Sequence, residues 1–223
     1  MQNPEFVRAA FASIAPRYVA TNHVLSLGVD KLWRKRVAQI VSEWHPERLL
    51  DLATGTGDLA LTMREAMPDT CITASDFCQP MLDIAASRGL DNLICADAMN
   101  LPFESGKFDA VTVAFGLRNM ASWPGALAEM KRMLRPGGHL LVLDFSLPSG
   151  LLRQPYRLYL HKILPIIAGW MTGHKEAYDY FAGSIEAFPC GKAMCQLIEQ
   201  AGFEDVRAEE LNGGIATIYR ADA

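Results

Sequence analysis

The residues best suited to chemistry in this 223-residue chain are the carboxylates that accompany one glycine turn. Leu49 to Asp58 reads Leu-Leu-Asp-Leu-Ala-Thr-Gly-Thr-Gly-Asp, an apolar run with Asp51 inside it that closes on Gly55 and Gly57. An amphipathic stretch follows at once (Leu59, Leu61, Met63, Ala66, Met67). The pattern predicts a buried strand, a tight turn and the start of a helix. In an open α/β sheet such a turn lies at the carboxyl end of its strand, where ligands bind. Glycine there lets the backbone bend sharply and lets a ligand come close.

Two ligands suit a turn of this kind. Gly55-x-Gly57 is followed by Ala60, an accepted residue at the third position of a dinucleotide fingerprint, so a dinucleotide stays open. Asp51 and Asp58 beside the turn are poor neighbours for a pyrophosphate. They suit a ligand carrying ammonium and sulfonium charges, as S-adenosylmethionine does. Asp76 closes the next predicted strand, where a carboxylate can accept both hydroxyls of a ribose. Asp97 closes the one after, placed to accept from an adenine amino group. Any one of these acids reads as a turn residue, but three at successive strand ends form a rim.

The elements that position this rim follow from periodicity. Asn3-Pro4-Glu5 is a helix start. A helix from Asp30 sets Leu32, Trp33, Val37, Ile40 and Val41 on one face, and Lys31, Arg34, Lys35 and Arg36 read as its solvated side. Strands are predicted at Arg48–Ala53, Thr70–Ser75, Leu93–Ala96, Phe108–Ala114 and His139–Phe145. Helices alternate with them, the last ending at Arg135-Pro-Gly-Gly138. That alternation implies a mostly parallel sheet covered on both faces. After Pro148 come aromatic and basic helical stretches, Leu151–Met171 and Tyr178–Phe188, then a helix Gly191–Ala201. Two strands, Phe203–Leu211 and Ile215–Arg220, close the chain around Asn212-Gly-Gly214, a hairpin signal.

Composition narrows the function classes. Half of the residues are hydrophobic and the net charge is −4, which argues against a general nucleic-acid binder. The five cysteines are scattered without a CxxC pair and support neither a zinc site nor a disulfide framework, so no metal is expected and a reducing cytoplasm is the simplest setting. Neither a signal peptide nor a membrane-spanning run is expected.

Asp51 to Asp58, the acids at the ends of strands two and three, and Arg135-Pro-Gly-Gly138 before strand five resemble a class I methyltransferase. The resemblance implies a Rossmann-like, doubly wound α/β fold with a seven-stranded, mostly parallel sheet whose last strand is antiparallel. Phe108-Asp-Ala-Val-Thr-Val-Ala-Phe-Gly-Leu-Arg-Asn119 is more specific. It resembles the ubiquinone/menaquinone biosynthesis C-methyltransferase family, in which Phe-Gly-x-Arg-Asn follows strand four. Tyr18-x-x-x-Asn22-x-x-x-Ser26 through Trp33, Leu140 to Ser146, and Leu164-Pro165 with Tyr178-x-Tyr180-x-x-x-Ser184 agree with it. The chain departs from that pattern at Val19, Thr21, Asp30, Ala53-Thr54 and Ala114.

The resemblance implies one domain: an N-terminal helical lid (1–45), a cofactor-binding core (46–147), a substrate-covering helical insert (148–190) and a closing helix with hairpin (191–223). It adds Thr56 and Ala98 to a cofactor set of Asp51, Gly55, Gly57, Asp76 and Asp97 for S-adenosylmethionine, which leaves as S-adenosylhomocysteine. Arg118 and Asn119 would act on the substrate, a prenylated demethyl-quinol precursor of menaquinone or ubiquinone, with Tyr18, Asn22, Phe115 and Tyr180 around the ring. His161 is the residue-based candidate for a base, because imidazole titrates near neutrality. A lipid substrate implies transient contact with the inner face of a membrane, and a homodimer or quinone-synthesis complex is compatible with the reading. Three other readings stay open: a methyltransferase for another small aromatic or polyketide-like molecule, a non-catalytic subunit of a quinone-synthesis complex that keeps only the fold, and an NAD-dependent oxidoreductase.

Overall fold

The structure is a computed structural model that describes residues 28–166 and 175–223, together with Glu5, Arg8 and Ser26; of 175–180 it describes the backbone alone. Glu5 and Arg8 are helical, and the rest of the predicted first helix lies outside the described residues. Helix α1 (Val29–Ser42) leads into β1 (Arg48–Leu52), α2 (Asp58–Ala66), β2 (Cys71–Asp76), α3 (Gln79–Ser87) and β3 (Leu93–Cys95). Then come β4 (Phe108–Ala114), a short 3₁₀ turn at Leu117–Asn119, α4 (Trp123–Met133) and β5 (Leu134–Phe145). The insert holds a 3₁₀ turn (Gly150–Leu152), α5 (Arg153–Leu158), a π-helical turn (Tyr159–Ile163) and α6 (Lys175–Ala187). Helix α7 (Lys192–Gln200), β6 (Glu204–Leu211) and β7 (Ala216–Asp222) complete the chain.

The strands form one seven-stranded sheet in the order β3-β2-β1-β4-β5-β7-β6. The pairs from β3 to β5 are parallel, and β7 runs antiparallel to both β5 and β6. Alternation along each strand feeds two cores. Leu50, Leu52, Val111, Val113, Leu140 and Val142 pack against Leu127 and Met130 of α4 and Ile198 of α7. Leu49, Ala110, Leu141, Leu143 and Ile218 face Trp33 and Val37 of α1 and Met63 of α2. The sheet reverses its winding between β1 and β4, the place where an open α/β sheet opens a crevice for ligands.

Three expectations change in detail. Leu32 is exposed, because it shares a helical row with Arg36 while Trp33, Val37 and Ile40 make the inward stripe. The basic cluster on α1 is only partly solvated: Arg34 is buried and paired with Asp30, and Arg36 Nε lies 2.8 Å from Glu209 Oε1. Strand β5 begins at Leu134, ahead of the Pro-Gly-Gly segment, which bulges out of register between the pairs Phe108–Leu134 and Ala110–His139. Asp109 stabilises that bulge by pairing with Arg135. The closing hairpin turns where expected, with Asn212, Gly213 and Gly214 all at positive φ.

Candidate active site

The carboxyl ends of β1 to β4 surround a cavity of about 290 Å³. Its wall includes Leu52, Ala53 and Gly55 from the first turn, Asp76 after β2, Asp97 and Ala98 after β3, and Phe115, Gly116 and Asn119 after β4. Its surface is mainly apolar, with two carboxylates at the rim.

The glycine turn is shaped from two sides, by Leu90 and by Asp76. Gly57 adopts a left-handed φ of 83°, and a Cβ there would stand 2.4 Å from the Leu90 side chain, so only glycine fits. Gly55 is also left-handed, but a Cβ there would meet nothing within 4 Å, so its missing side chain leaves the cavity open. Asp76 supports this loop: Oδ2 accepts from the Gly55 amide at 2.8 Å and Oδ1 from the Cys78 amide at 2.9 Å. Burial pushes the Asp76 carboxyl up, and the amide hydrogen bonds hold it down. Each oxygen keeps acceptor capacity for a hydroxyl in the cavity. Asp97 is anchored the same way, by the Met99 amide at 2.9 Å.

Asp51 does not reach the cavity wall. Its Oδ2 accepts from Thr54 Oγ1 and its Oδ1 from Thr112 Oγ1, each at 2.7 Å, so both oxygens are used inside the protein. Asp58, too, is turned away, with Oδ1 2.8 Å from Arg88 Nη1 and Oδ2 accepting from Thr56 Oγ1. Neither carboxylate is placed to meet a ligand ammonium directly. Thr56 and Gly57 likewise lie behind the wall and shape the loop.

The second turn, Phe115 to Asn119, packs directly on the first. A Cβ on Gly116 would come within 2.4 Å of Ala53 Cβ, which forces glycine there. Phe115 is left-handed at φ 59°, a costly conformation for an aromatic residue. Its carbonyl accepts from both Arg118 Nη1 and Asn119 Nδ2, and its amide donates to Leu143 at 2.7 Å. The Phe-Gly-x-Arg-Asn spacing therefore makes a strained turn that clamps itself.

Arg118 is almost wholly buried. Its Nη1 lies 2.7 Å from Asp144 Oδ1, its guanidinium carbon stands 5.2 Å from the Phe145 ring centre and 5.0 Å from that of Phe181, and its Nε has no partner. The geometry therefore puts Asn119 on the cavity wall and Arg118 behind it. His161 lies on the exposed side of the insert, its Nε2 3.1 Å from Glu186 Oε1, and is not brought to the cavity. The helical row Tyr156, Leu160 and Leu164 turns inward instead. Tyr18, Asn22 and the Tyr180 side chain lie outside the described residues.

Sequence reasoning missed Arg8, Phe77 and Met81 on the cavity wall. Only Phe77 had a local signal, its place directly after Asp76. Among the described residues no cluster of His, Cys, Asp and Glu is arranged to hold a metal ion. The residues fit S-adenosylmethionine: an open glycine cradle, apolar walls for a purine, and two anchored carboxylates with free acceptor capacity.

Known proteins resemble this chain over nearly its whole length. The sequence profile of the ubiE/COQ5 methyltransferase family matches residues 1–222. The demethylmenaquinone methyltransferase of Thermus thermophilus is 46% identical, with 95% of this chain and 99% of that protein covered. That of Deinococcus radiodurans is 44% identical, covering 97% and 92%. The ubiquinone/menaquinone biosynthesis C-methyltransferase of Bdellovibrio bacteriovorus is 38% identical, covering 98% and 96%. Among solved structures, a SAM-dependent methyltransferase of Thermotoga maritima superposes with a TM-score of 0.70 at 20% identity, covering 96% and 98%.

Two outcomes follow from the buried carboxylates. Burial pushes Asp51 up to about 6 from an ordinary 3.8. A raised carboxylate contributes stability at low pH, and that contribution is lost as pH rises through the folded value. The stability of the wild type relative to Asp51→Asn should fall by about 3 kcal/mol from about pH 3 to about pH 7 in urea unfolding; a pH-independent difference would contradict the assignment. Arg118→Ala strands Asp144 and should cost about 3–5 kcal/mol, part of it recovered by adding Asp144→Asn. A loss below about 1 kcal/mol would show that the pair is not structural.

Proposed function

Since the chain belongs to the ubiE/COQ5 methyltransferase family and has the fold of S-adenosylmethionine-dependent methyltransferases, we propose that it methylates a ring carbon of demethylmenaquinol. The observation that carries this reading is the Phe115–Asn119 turn, which sets Asn119 on the wall of the cavity whose opposite rim holds Asp76 and Asp97. The relatives named for demethylmenaquinone methylation, at up to 46% identity, favour the menaquinone precursor. The precursor of ubiquinone is the second quinol compatible with the family.

S-adenosylmethionine, when bound, supplies an electrophilic methyl group on a sulfonium. Asp76 would accept from the ribose hydroxyls and Asp97, with Ala98 beside it, from the adenine amino group; the open backbone at Gly55 would admit the rest of the cofactor. Asn119 would hydrogen-bond a quinol oxygen and fix the ring against Phe115. A quinol losing a phenolic proton becomes nucleophilic at the ring carbon. Holding the reacting atoms aligned can supply about 7–11 kcal/mol of the barrier in the best-oriented cases.

Arg118 would act through the turn. Its charge is shared with Asp144, and a guanidinium in a protein does not give up its proton, so it is assigned as a positioning residue. A prenylated substrate would place the enzyme at a membrane surface, and no helix among the described residues is long and apolar enough to cross one.

Incubation with demethylmenaquinol and methyl-labelled S-adenosylmethionine should give a product one labelled methyl heavier, with the label on the ring by mass analysis. Asn119→Ala should lower kcat by about tenfold or more while leaving cofactor affinity near wild type. Absence of label in any prenylated quinol would overturn the reading, and unchanged kcat would remove Asn119 from the substrate side.

A further inference from the structure

Six large hydrophobic side chains stand exposed among the described residues, and all but Leu32 fall between Leu151 and Ile166. Leu151 is 96% exposed, Ile166 70% and Leu158 58%. Concentrated in one short segment, they mark an interaction surface rather than scattered surface leucines. Helical spacing explains the arrangement. Tyr156, Leu160 and Leu164 form the inward row against Ala182 and Ile185 of α6. Leu158, Lys162 and Ile166, also spaced by four, form the outward row.

The charge of the segment says what covers it. Residues 151–166 contain Arg153, Arg157 and Lys162, all exposed, and no acidic residue, within a chain of net charge −4. Glu186 answers Arg157 from α6, at 2.7 Å, and pairs with His161 as well. Arg153 and Lys162 remain at the surface among the leucines. Apolar side chains interleaved with basic ones suit an anionic lipid interface, where the leucines enter the acyl boundary and the bases meet headgroups.

We propose that the outward face of residues 151–166 docks this enzyme onto anionic phospholipid. The proposal rests on the prenylated-quinol reading only for its purpose; its test reads binding without turnover, so each can fail alone. The full chain is mixed with vesicles of phosphatidylglycerol and phosphatidylcholine, or of phosphatidylcholine alone, and floated on a density gradient. The wild type should float with the anionic vesicles and release at high salt. Leu151→Ser/Leu158→Ser should weaken that binding by about tenfold or more, and Arg153→Glu should weaken it at low salt. Far-UV circular dichroism and S-adenosylmethionine affinity of both variants should match the wild type, which separates lost docking from lost folding. Failure of the wild type to float, or equal flotation of the double serine variant, would overturn the proposal. So would a dimer in sedimentation velocity that the double variant dissolves, since the face would then belong to a second copy.

Discussion

A carboxylate buried away from solvent holds the centre of this molecule together. Asp51 sits at the point where the sheet reverses its winding, and it accepts one hydroxyl from the turn after β1 and one from the middle of β4. Keeping an acid there costs desolvation, visible in a carboxyl pushed up to about 6. What the protein gains is register: the turn that frames the cavity cannot shift along β4 without breaking one of the two bonds. A second buried acid does the same one strand over. Asp144 on β5 takes the guanidinium of Arg118, which in turn holds the carbonyl of Phe115. Three neighbouring strands are thus cross-linked by side chains at the edge where they open.

Everything on the cavity wall depends on that cross-linking. The two turns touch at Ala53 and Gly116, closely enough that a single methyl group would separate them. Both Ala53 and Phe115 are left-handed without being glycine, so each would relax if its surroundings allowed. The clamp from Arg118 and Asn119 on the Phe115 carbonyl resists that relaxation. Asn119 is held on the cavity wall by the same hydrogen bond that shapes the turn. The site residues that touch ligand and those that only hold the loop are consequently hard to tell apart by substitution, unless binding, turnover and stability are read together.

Much of this was legible in the sequence, for local reasons. Phe108–Ala114 is apolar and β-branched enough to mark β4 at its true ends, and Gly55-x-Gly57 marks the turn because glycine is the residue left-handed geometry selects. Asp76 and Asp97 could be placed on the rim because Asp76 ends β2 and Asp97 follows β3 by two residues. The roles of Asp51, Asp58 and Arg118 were not legible. Besides its local partner, each has a distant one: Thr112 on β4 for Asp51, Asp144 on β5 for Arg118, and Arg88 at the end of α3 for Asp58. No spacing rule says whether a carboxylate beside a glycine turn faces the ligand or the neighbouring strand. Leu32 and the start of β5 failed for a related reason, since composition alone does not fix the phase of a helix or the residue at which a bulged strand begins to pair.

Calorimetric titration asks whether the cavity at the switch point is a cofactor site and whether Asp76 reads the cofactor. The wild type should bind S-adenosylmethionine at one site per chain and show no heat with NADH, and Asp76→Ala should weaken the former by at least about tenfold. Binding of NADH, or S-adenosylmethionine affinity untouched by Asp76→Ala, would rule that site out.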